Sequence, residues 1–108
     1  MEAISTYPDN IGKTKKLKDI NGDDVEFVIE DEIIMHQTNN PNKLIVMQML
    51  VHKLRDIPDE IEYRLGYYML GVKPGMKGRW VWGQYCLMLP PEDFRILLKK
   101  AKEKHWDI

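Results

Sequence analysis

The side chains able to act as nucleophiles or metal ligands are few and widely spaced in this chain. His36, His52 and His105 are scattered and Cys86 is the single cysteine, whereas a metal site needs several ligands at fixed spacing. Nucleophilic catalysis needs a hydroxyl or thiol beside a base. Cys86 lies in an apolar run typical of a buried strand, where it behaves as a small hydrophobe. We therefore expect no catalytic residue, no metal and no cofactor, and a protein that is not an enzyme.

Two short segments have the composition of ligand-binding loops without their spacing. "DINGDD", from Asp19 to Asp24, has the acids of a calcium loop, but its glycine comes fourth instead of sixth. "GVKPGMKG", from Gly71 to Gly78, has three glycines and two lysines but lacks the Gly-Lys-Ser/Thr ending of a phosphate-binding loop. Hairpin or Pro/Gly turns between strands explain both segments better.

The composition best suited to binding is a mixture of aromatic and basic residues in the C-terminal half. Five aromatic side chains fall within nineteen residues: Tyr67, Tyr68, Trp80, Trp82 and Tyr85. Single-stranded nucleic acid is bound by such mixtures, because aromatic rings stack on bases while cations follow the phosphates. The predicted surface for nucleic acid or a partner comprises Arg64, Tyr68, Lys73, Lys77, Arg79, Trp80, Trp82 and Gln84.

The two tryptophans have three interpretations that the sequence leaves open. They could belong to the core of a sheet, to a protein interface that includes a dimer contact, or to a stacking surface for bases. In a strand, Trp80 and Trp82 share one face with Gln84, and the opposite face offers Tyr85 and Leu87 to a covering helix. On that parity the tryptophans face outward or toward a partner.

Alternating apolar residues and short turns predict the strands that position these side chains. Val25 to Ile29 follows the Asn21-Gly22 turn signal, the acids at 30–32 predict a solvated turn, and 38–42 has loop composition. Residues 43–54 fit a strand or a buried helix, since both alternating sets are apolar. Strands are further predicted over 61–69 and 79–89. Short connections imply antiparallel pairing.

One helix is predicted to begin at Pro91, a residue favoured at the first helical position. Glu92 and Asp93 suit its first turn, and lysines suit its last. The apolar stripe consists of Phe94, Leu97, Leu98 and Ala101. The sequence therefore predicts an α+β fold: an antiparallel sheet of four to five strands with one C-terminal amphipathic helix packed on one face. We expect a flexible N-terminal arm over 1–16 and a single domain over 17–108.

Charge and hydropathy constrain the class of protein. The 108 residues carry a net charge of −1, but residues 1–60 hold 12 acids and 7 bases, and residues 61–108 hold 5 acids and 9 bases. Such a split can mark an anion-binding face, or two halves that face each other. No apolar run approaches the roughly 18 residues that span a bilayer, and the N-terminus lacks a signal peptide's apolar region. These features predict a cytoplasmic protein without a membrane partner.

The C-terminal half also resembles a known family. "LGYYMLGVKPGMKG" followed by "LPPEDFRILL" is similar to the positive cofactor four family of transcriptional coactivators. The shared pattern is an aromatic strand, a Lys-Pro-Gly/Lys-Gly turn, a strand, and a helix opened by Pro-Glu. The resemblance implies a dimer that binds single-stranded DNA on a curved antiparallel sheet. The matching positions are Tyr67, Tyr68, Lys73, Lys77 and Arg79.

The sequence departs from that family where the helix should follow the Lys-Gly turn, because the segment Trp80 to Leu89 intervenes. The stretch from Tyr63 to Trp106 is also similar to small uncharacterised prokaryotic and phage proteins. Two functions are therefore expected. The first is a non-enzymatic, homodimeric protein that binds single-stranded nucleic acid through an aromatic and basic sheet face. The alternative is a protein-interaction module, such as a phage or host-defence accessory or a structural domain, that uses the tryptophan side of the sheet.

Overall fold

A computed structural model describes residues 7–54 and 60–108. In that part of the chain, five strands precede one helix. They are β1 (Thr14–Lys18), β2 (Asp24–Gln37), β3 (Asn40–His52), β4 (Ile61–Leu70), β5 (Trp80–Trp82) and α1 (Pro91–Glu103). The strands form one antiparallel sheet in the order β1-β2-β3-β4-β5, so each strand pairs with its neighbour in sequence. The predicted α+β class, with its C-terminal helix, is confirmed.

The chain divides into two compact units. The first comprises Met1–Pro8, Ile33–Met47 and Leu65–Ile108, and the second comprises Asp9–Glu32 and Gln48–Arg64. β2, β3 and β4 contribute residues to both units. β5 and α1 belong to the first unit, and β1 belongs to the second.

The β1–β2 hairpin in the second unit forms at the predicted Asn-Gly turn. The Asp19 carboxylate accepts hydrogen bonds from the backbone N–H of Asn21 at 2.8 Å and of Asp23 at 2.9 Å. Gly22 has φ of 80°, a left-handed conformation that glycine adopts without steric cost. β1 begins at Thr14, inside the range predicted as a loose arm, and Thr14 pairs with Val28. Residues 1–6 of that arm lie outside the described residues.

The ambiguous segment 43–54 is a strand, because β3 covers Asn40–His52. Leu44, Ile45 and Val46 are completely buried, so both faces of the strand are covered there. This double burial explains why both alternating sets are apolar. The predicted loop over 38–42 is wrong in length. Only Thr38 and Asn39 form the turn, and Asn40 already belongs to β3.

The last strand is shorter than predicted. β5 ends at Trp82 instead of continuing to Leu89. The Gly83 N–H donates to the Tyr67 carbonyl at 2.7 Å, and a Cβ at Gly83 would collide with the Tyr67 ring. Tyr85 is 83% exposed, so its predicted role beneath the helix is wrong. Cys86, predicted to be buried, is exposed as well.

Helix α1 begins at Pro91, as predicted, and its buried side is formed by Asp93, Leu97 and Ala101. The Asp93 carboxylate accepts two hydrogen bonds from Thr38, one from the backbone N–H and one from Oγ1, both 2.9 Å long. Phe94, which the predicted stripe included, is exposed. The buried side is therefore narrower than the stripe, and a buried carboxylate takes the place of the aromatic ring.

Candidate nucleic-acid interface

The predicted surface residues do not all lie in one unit. Arg64 belongs to the second unit, whereas Tyr68, the turn cations and both tryptophans belong to the first. The Arg64 side chain is half-buried and donates to the Gln48 Oε1 through Nε at 3.0 Å and Nη2 at 2.7 Å. It also lies 5.1 Å from the centroid of the Phe27 ring. Arg64 is thus half-buried and held by specific partners, and its place on the binding surface stays a prediction.

Gln48 connects Arg64 to a buried acid that the sequence analysis placed in a solvated turn. Glu32 is 9% exposed and lies in β2, and its carboxylate is the acid of this network. It accepts hydrogen bonds from Gln48 Nε2 at 2.6 Å, from the Asn10 backbone N–H at 3.1 Å and from Asn10 Nδ2 at 3.0 Å. The interpretation of 30–32 as a solvated turn is therefore wrong, because all three residues lie within β2 and Glu32 is buried.

The network joins four side chains from separate parts of the chain: Asn10, Glu32, Gln48 and Arg64. A buried carboxylate is tolerated when its oxygens accept hydrogen bonds. The sequence indicates this buried network in one way only: Glu30, Asp31 and Glu32 interrupt the alternation of apolar and polar residues in β2. Nothing in the sequence distinguishes Glu32, the buried member, from Glu30, which is exposed.

The tryptophans lie on one face of the sheet in the first unit, here called the tryptophan face. Trp82 pairs with Tyr68 across β4 and β5, and Trp80 pairs with Leu70, so these side chains share a face. The Tyr68 and Trp82 rings meet edge to face with centroids 5.1 Å apart. Trp80 meets the His36 ring edge to face at 5.9 Å. Both tryptophans are thus held in fixed orientations by neighbouring rings.

Burial decides which of these rings can meet a ligand. Tyr68 is 9% exposed and packs with Leu44 and Val46 in the core, so little of its ring is accessible, and its role in binding stays a prediction. Trp80 is half-buried against the same cluster. Trp82 is 37% exposed. The two tryptophans therefore differ in accessibility. Trp80 is half-buried against the core cluster, whereas Trp82 keeps a surface that a ligand could reach.

The Trp82 ring packs against Gly66 of β4. A Cβ at Gly66 would lie 2.5 Å from both Cη2 and Cζ2 of the Trp82 ring. The indole therefore lies directly over the β4 backbone, and a side chain at Gly66 would displace it. Such close approach is a recurrent reason for glycine within a strand.

The turn between β4 and β5 presents the predicted cations. Lys73, Lys77 and Arg79 are exposed. The segment from Gly71 to Arg79 contains no acid. Its base is closed by a hydrogen bond from the Gly71 N–H to the Arg79 carbonyl at 2.8 Å. The cations thus lie on a defined turn that leads directly into Trp80. Gln84, the last predicted residue, is exposed just beyond β5.

The opposite face of the sheet in the first unit contains Tyr67 and Lys43. Lys43 Nζ lies 5.1 Å from the centroid of the Tyr67 ring and donates to the Met88 carbonyl at 2.6 Å. The Tyr67 hydroxyl accepts from the Tyr85 N–H at 3.1 Å. Partial burial lowers the pKa of the Lys43 ammonium below its ordinary value. These contacts hold the segment between β5 and α1 through Tyr85 and Met88.

His52 and Glu62 form a close pair in the second unit. His52 Nε2 lies 2.6 Å from Glu62 Oε1, and its ring meets Phe27 edge to face at 5.9 Å. No group of three or more His, Cys, Asp or Glu side chains within 7–54 and 60–108 is arranged to hold a metal ion. In the same residues, no helix has both the length and the apolar composition needed to cross a membrane.

These features define an α+β protein with a five-stranded sheet and a basic turn beside an aromatic face. Comparisons with known protein families, with curated proteins and with solved structures find no match.

Proposed function

We propose that this protein binds single-stranded nucleic acid with the β4–β5 hairpin and catalyses no reaction on it. The observation that carries the proposal is the position of three exposed cations on the turn that enters β5, immediately before Trp80 and Trp82. Backbone phosphates would follow Lys73, Lys77 and Arg79, and a base would stack on the exposed part of Trp82. The acid-free turn favours a polyanion, since no carboxylate within it opposes the phosphates.

Fixed ring orientations support this proposal. The Trp82 ring is held between Tyr68 and the backbone at Gly66, so little rotational freedom is lost when a base stacks on it. Trp80 serves mainly as a support, because it is half-buried against Tyr68, Leu44 and Val46. The binding surface is thus smaller than the sequence predicts and has one principal stacking residue.

The test is the anisotropy of a labelled oligothymidine at low salt. Lys73→Ala, Lys77→Ala and Arg79→Ala should each weaken binding and reduce the salt slope by about 0.7 for each phosphate that the variant no longer neutralises. Trp82→Met keeps an apolar side chain but removes the stacking plane, and should weaken binding by about 10-fold or more. Lys15→Ala on β1, in the other unit, is the matched control and should change little. If the oligothymidine does not bind, or binds without salt dependence, the proposal is refuted.

A second candidate function is favoured by exposed apolar side chains near the same hairpin. Val72, Met76, Tyr85 and Met88 are all exposed, and apolar surface of this kind often marks a protein interface. Such an interface would also account for the homodimer expected from the resemblance. Sedimentation equilibrium of the wild type and of Val72→Glu tests it. A dimer that the substitution dissociates would support this second function, whereas a monomer at all concentrations would exclude the self-interface.

A further inference from the structure

The outer edge of β1 presents backbone groups that no described residue occupies. β1 is the first strand of the sheet and pairs with β2 only. The Ile29 N–H donates to the Lys13 carbonyl, and the Asp19 N–H donates to the Asp23 carbonyl, both at 2.9 Å. The odd-numbered residues thus direct their backbone groups toward β2. Because this direction alternates along a strand, the N–H and C=O groups of the even-numbered residues point outward.

The charges along this edge are unevenly compensated. On one face, Lys16 pairs with Glu26 at 3.7 Å, and Lys18 forms an ion pair with Asp24. On the other face, Lys13 and Lys15 have no carboxylate partner among residues 7–54 and 60–108. That face therefore carries two uncompensated cations beside the free edge.

A cavity with a partly apolar lining lies at the end of the same face. Leu17 pairs with Val25, and both line a shallow cavity of about 220 Å³. Leu54 completes the apolar part of its lining, and Leu17 and Leu54 are exposed. Lys16, Asp24 and Glu26 line the rest, and the two acids are paired with Lys18 and Lys16. Along one face of β1 the order is thus an apolar site at Leu17, then a cation at Lys15 and another at Lys13.

We propose that the outer edge of β1 accepts an extended acidic peptide segment of another protein as a sixth strand. The peptide's backbone pairs with the outward groups of Thr14, Lys16 and Lys18. An apolar side chain opposite Leu17 enters the cavity, and acidic side chains lie opposite Lys15 and Lys13. Main-chain pairing supplies affinity in this mode of recognition, and alternate side chains supply specificity. The proposal does not depend on nucleic-acid binding by the β4–β5 hairpin.

A second copy of the chain fits this edge poorly. Antiparallel self-pairing centred on Lys16 would place two Lys16 side chains directly opposite each other, which is unfavourable. Edge lysines are a common protection against such pairing. The same lysines attract an acidic strand, so the positive charge of this edge favours an acidic peptide over a second copy of the chain.

The binding test uses the full chain and blocked peptides of about seven residues, made in both chain directions. In each peptide, threonine occupies every second position, and one leucine and two glutamates occupy the positions between the threonines. Lys15→Glu should weaken binding by about 5-fold or more, whereas Lys99→Glu on α1 should have little effect. A peptide N-methylated at the pairing positions should not bind. Equal binding by the N-methylated peptide would overturn the proposal.

Amide hydrogen exchange locates the peptide. Saturating peptide should slow exchange at Thr14, Lys16 and Lys18, while the inward amides of Lys15 and Leu17 are already protected in the free protein. Unchanged exchange at the outward amides would refute the sixth strand. Protection of those amides by an oligonucleotide, or by raising the protein concentration without peptide, would assign the edge to a different occupant and also overturn the proposal.

Discussion

The contact between Trp82 and Gly66 makes a quantitative prediction. Trp82 is 37% exposed, so about two-thirds of the side chain is buried. Truncation of a fully buried tryptophan to alanine costs about 3–5 kcal/mol. Scaled to this burial, Trp82→Ala should lower the free energy of unfolding by about 2–3 kcal/mol. For a domain of this size that corresponds to a fall in Tm of about 10 °C or more.

Gly66→Ala perturbs the same contact from the other side. The added methyl group would lie 2.5 Å from the indole, so the ring must move. Overpacking of this kind costs about 1–3 kcal/mol, partly offset by a gain of about 0.5–1 kcal/mol when alanine replaces glycine within a strand. In the Trp82→Ala background the indole is absent, so Gly66→Ala brings only the stabilising gain in free energy of unfolding. Gly66→Ala should therefore destabilise the wild type and slightly stabilise Trp82→Ala, with a coupling of about 2 kcal/mol.

Urea unfolding of the wild type, both single variants and the double variant measures this coupling. Tyr85→Ala is the control, since Tyr85 is 83% exposed and its truncation should change stability by less than about 0.5 kcal/mol. Additive effects of the two substitutions would refute the close approach of Gly66 to the indole, and with it the idea that Gly66 positions the stacking ring. A loss of stability below about 0.5 kcal/mol in Trp82→Ala would refute the inferred burial of the ring.

Two further predictions concern α1 and Lys43. Asp93→Ala should lower the free energy of unfolding by about 3 kcal/mol or more, because it leaves two Thr38 donors without their buried acceptor. The control is Glu92→Ala, which removes only an exposed ion pair with Arg95. It should lower the free energy of unfolding by less than about 1 kcal/mol in the same urea titration. Because burial lowers the pKa of Lys43, the unfolded chain binds the proton more tightly, so the stability of wild type relative to Lys43→Met should rise with pH above the lowered pKa and level off above the ordinary value near 10.5. A flat or falling difference would contradict that sign.

The helix was predictable because its signals are local. Pro91, Glu92 and Asp93 mark its start through backbone geometry and the helix dipole, and neither depends on the rest of the fold. The burial of Asp93 was not predictable, because its partner Thr38 is 55 residues away in sequence. A first-turn acid looks the same whether it faces water or a distant hydroxyl.

The end of β5 and the role of Glu32 were missed for a related reason. Apolar residues continue past Trp82, so the pattern predicts a longer strand. The chain leaves β5 where Gly83 approaches the Tyr67 ring, a contact between different elements. Glu32 likewise differs from Glu30 only through its partners Asn10 and Gln48. Periodicity identifies elements, but only packing identifies which polar residue is enclosed.

The pairing of every strand with its neighbour in sequence has a consequence for folding. Each hairpin closes over a short separation, so the sheet can grow strand by strand as the chain leaves the ribosome. A nascent chain that ends at Pro90 still lacks Leu97 and Ala101, the completely buried apolar residues of α1. Thr38 therefore gains its Asp93 partner only after the whole sheet has been synthesised.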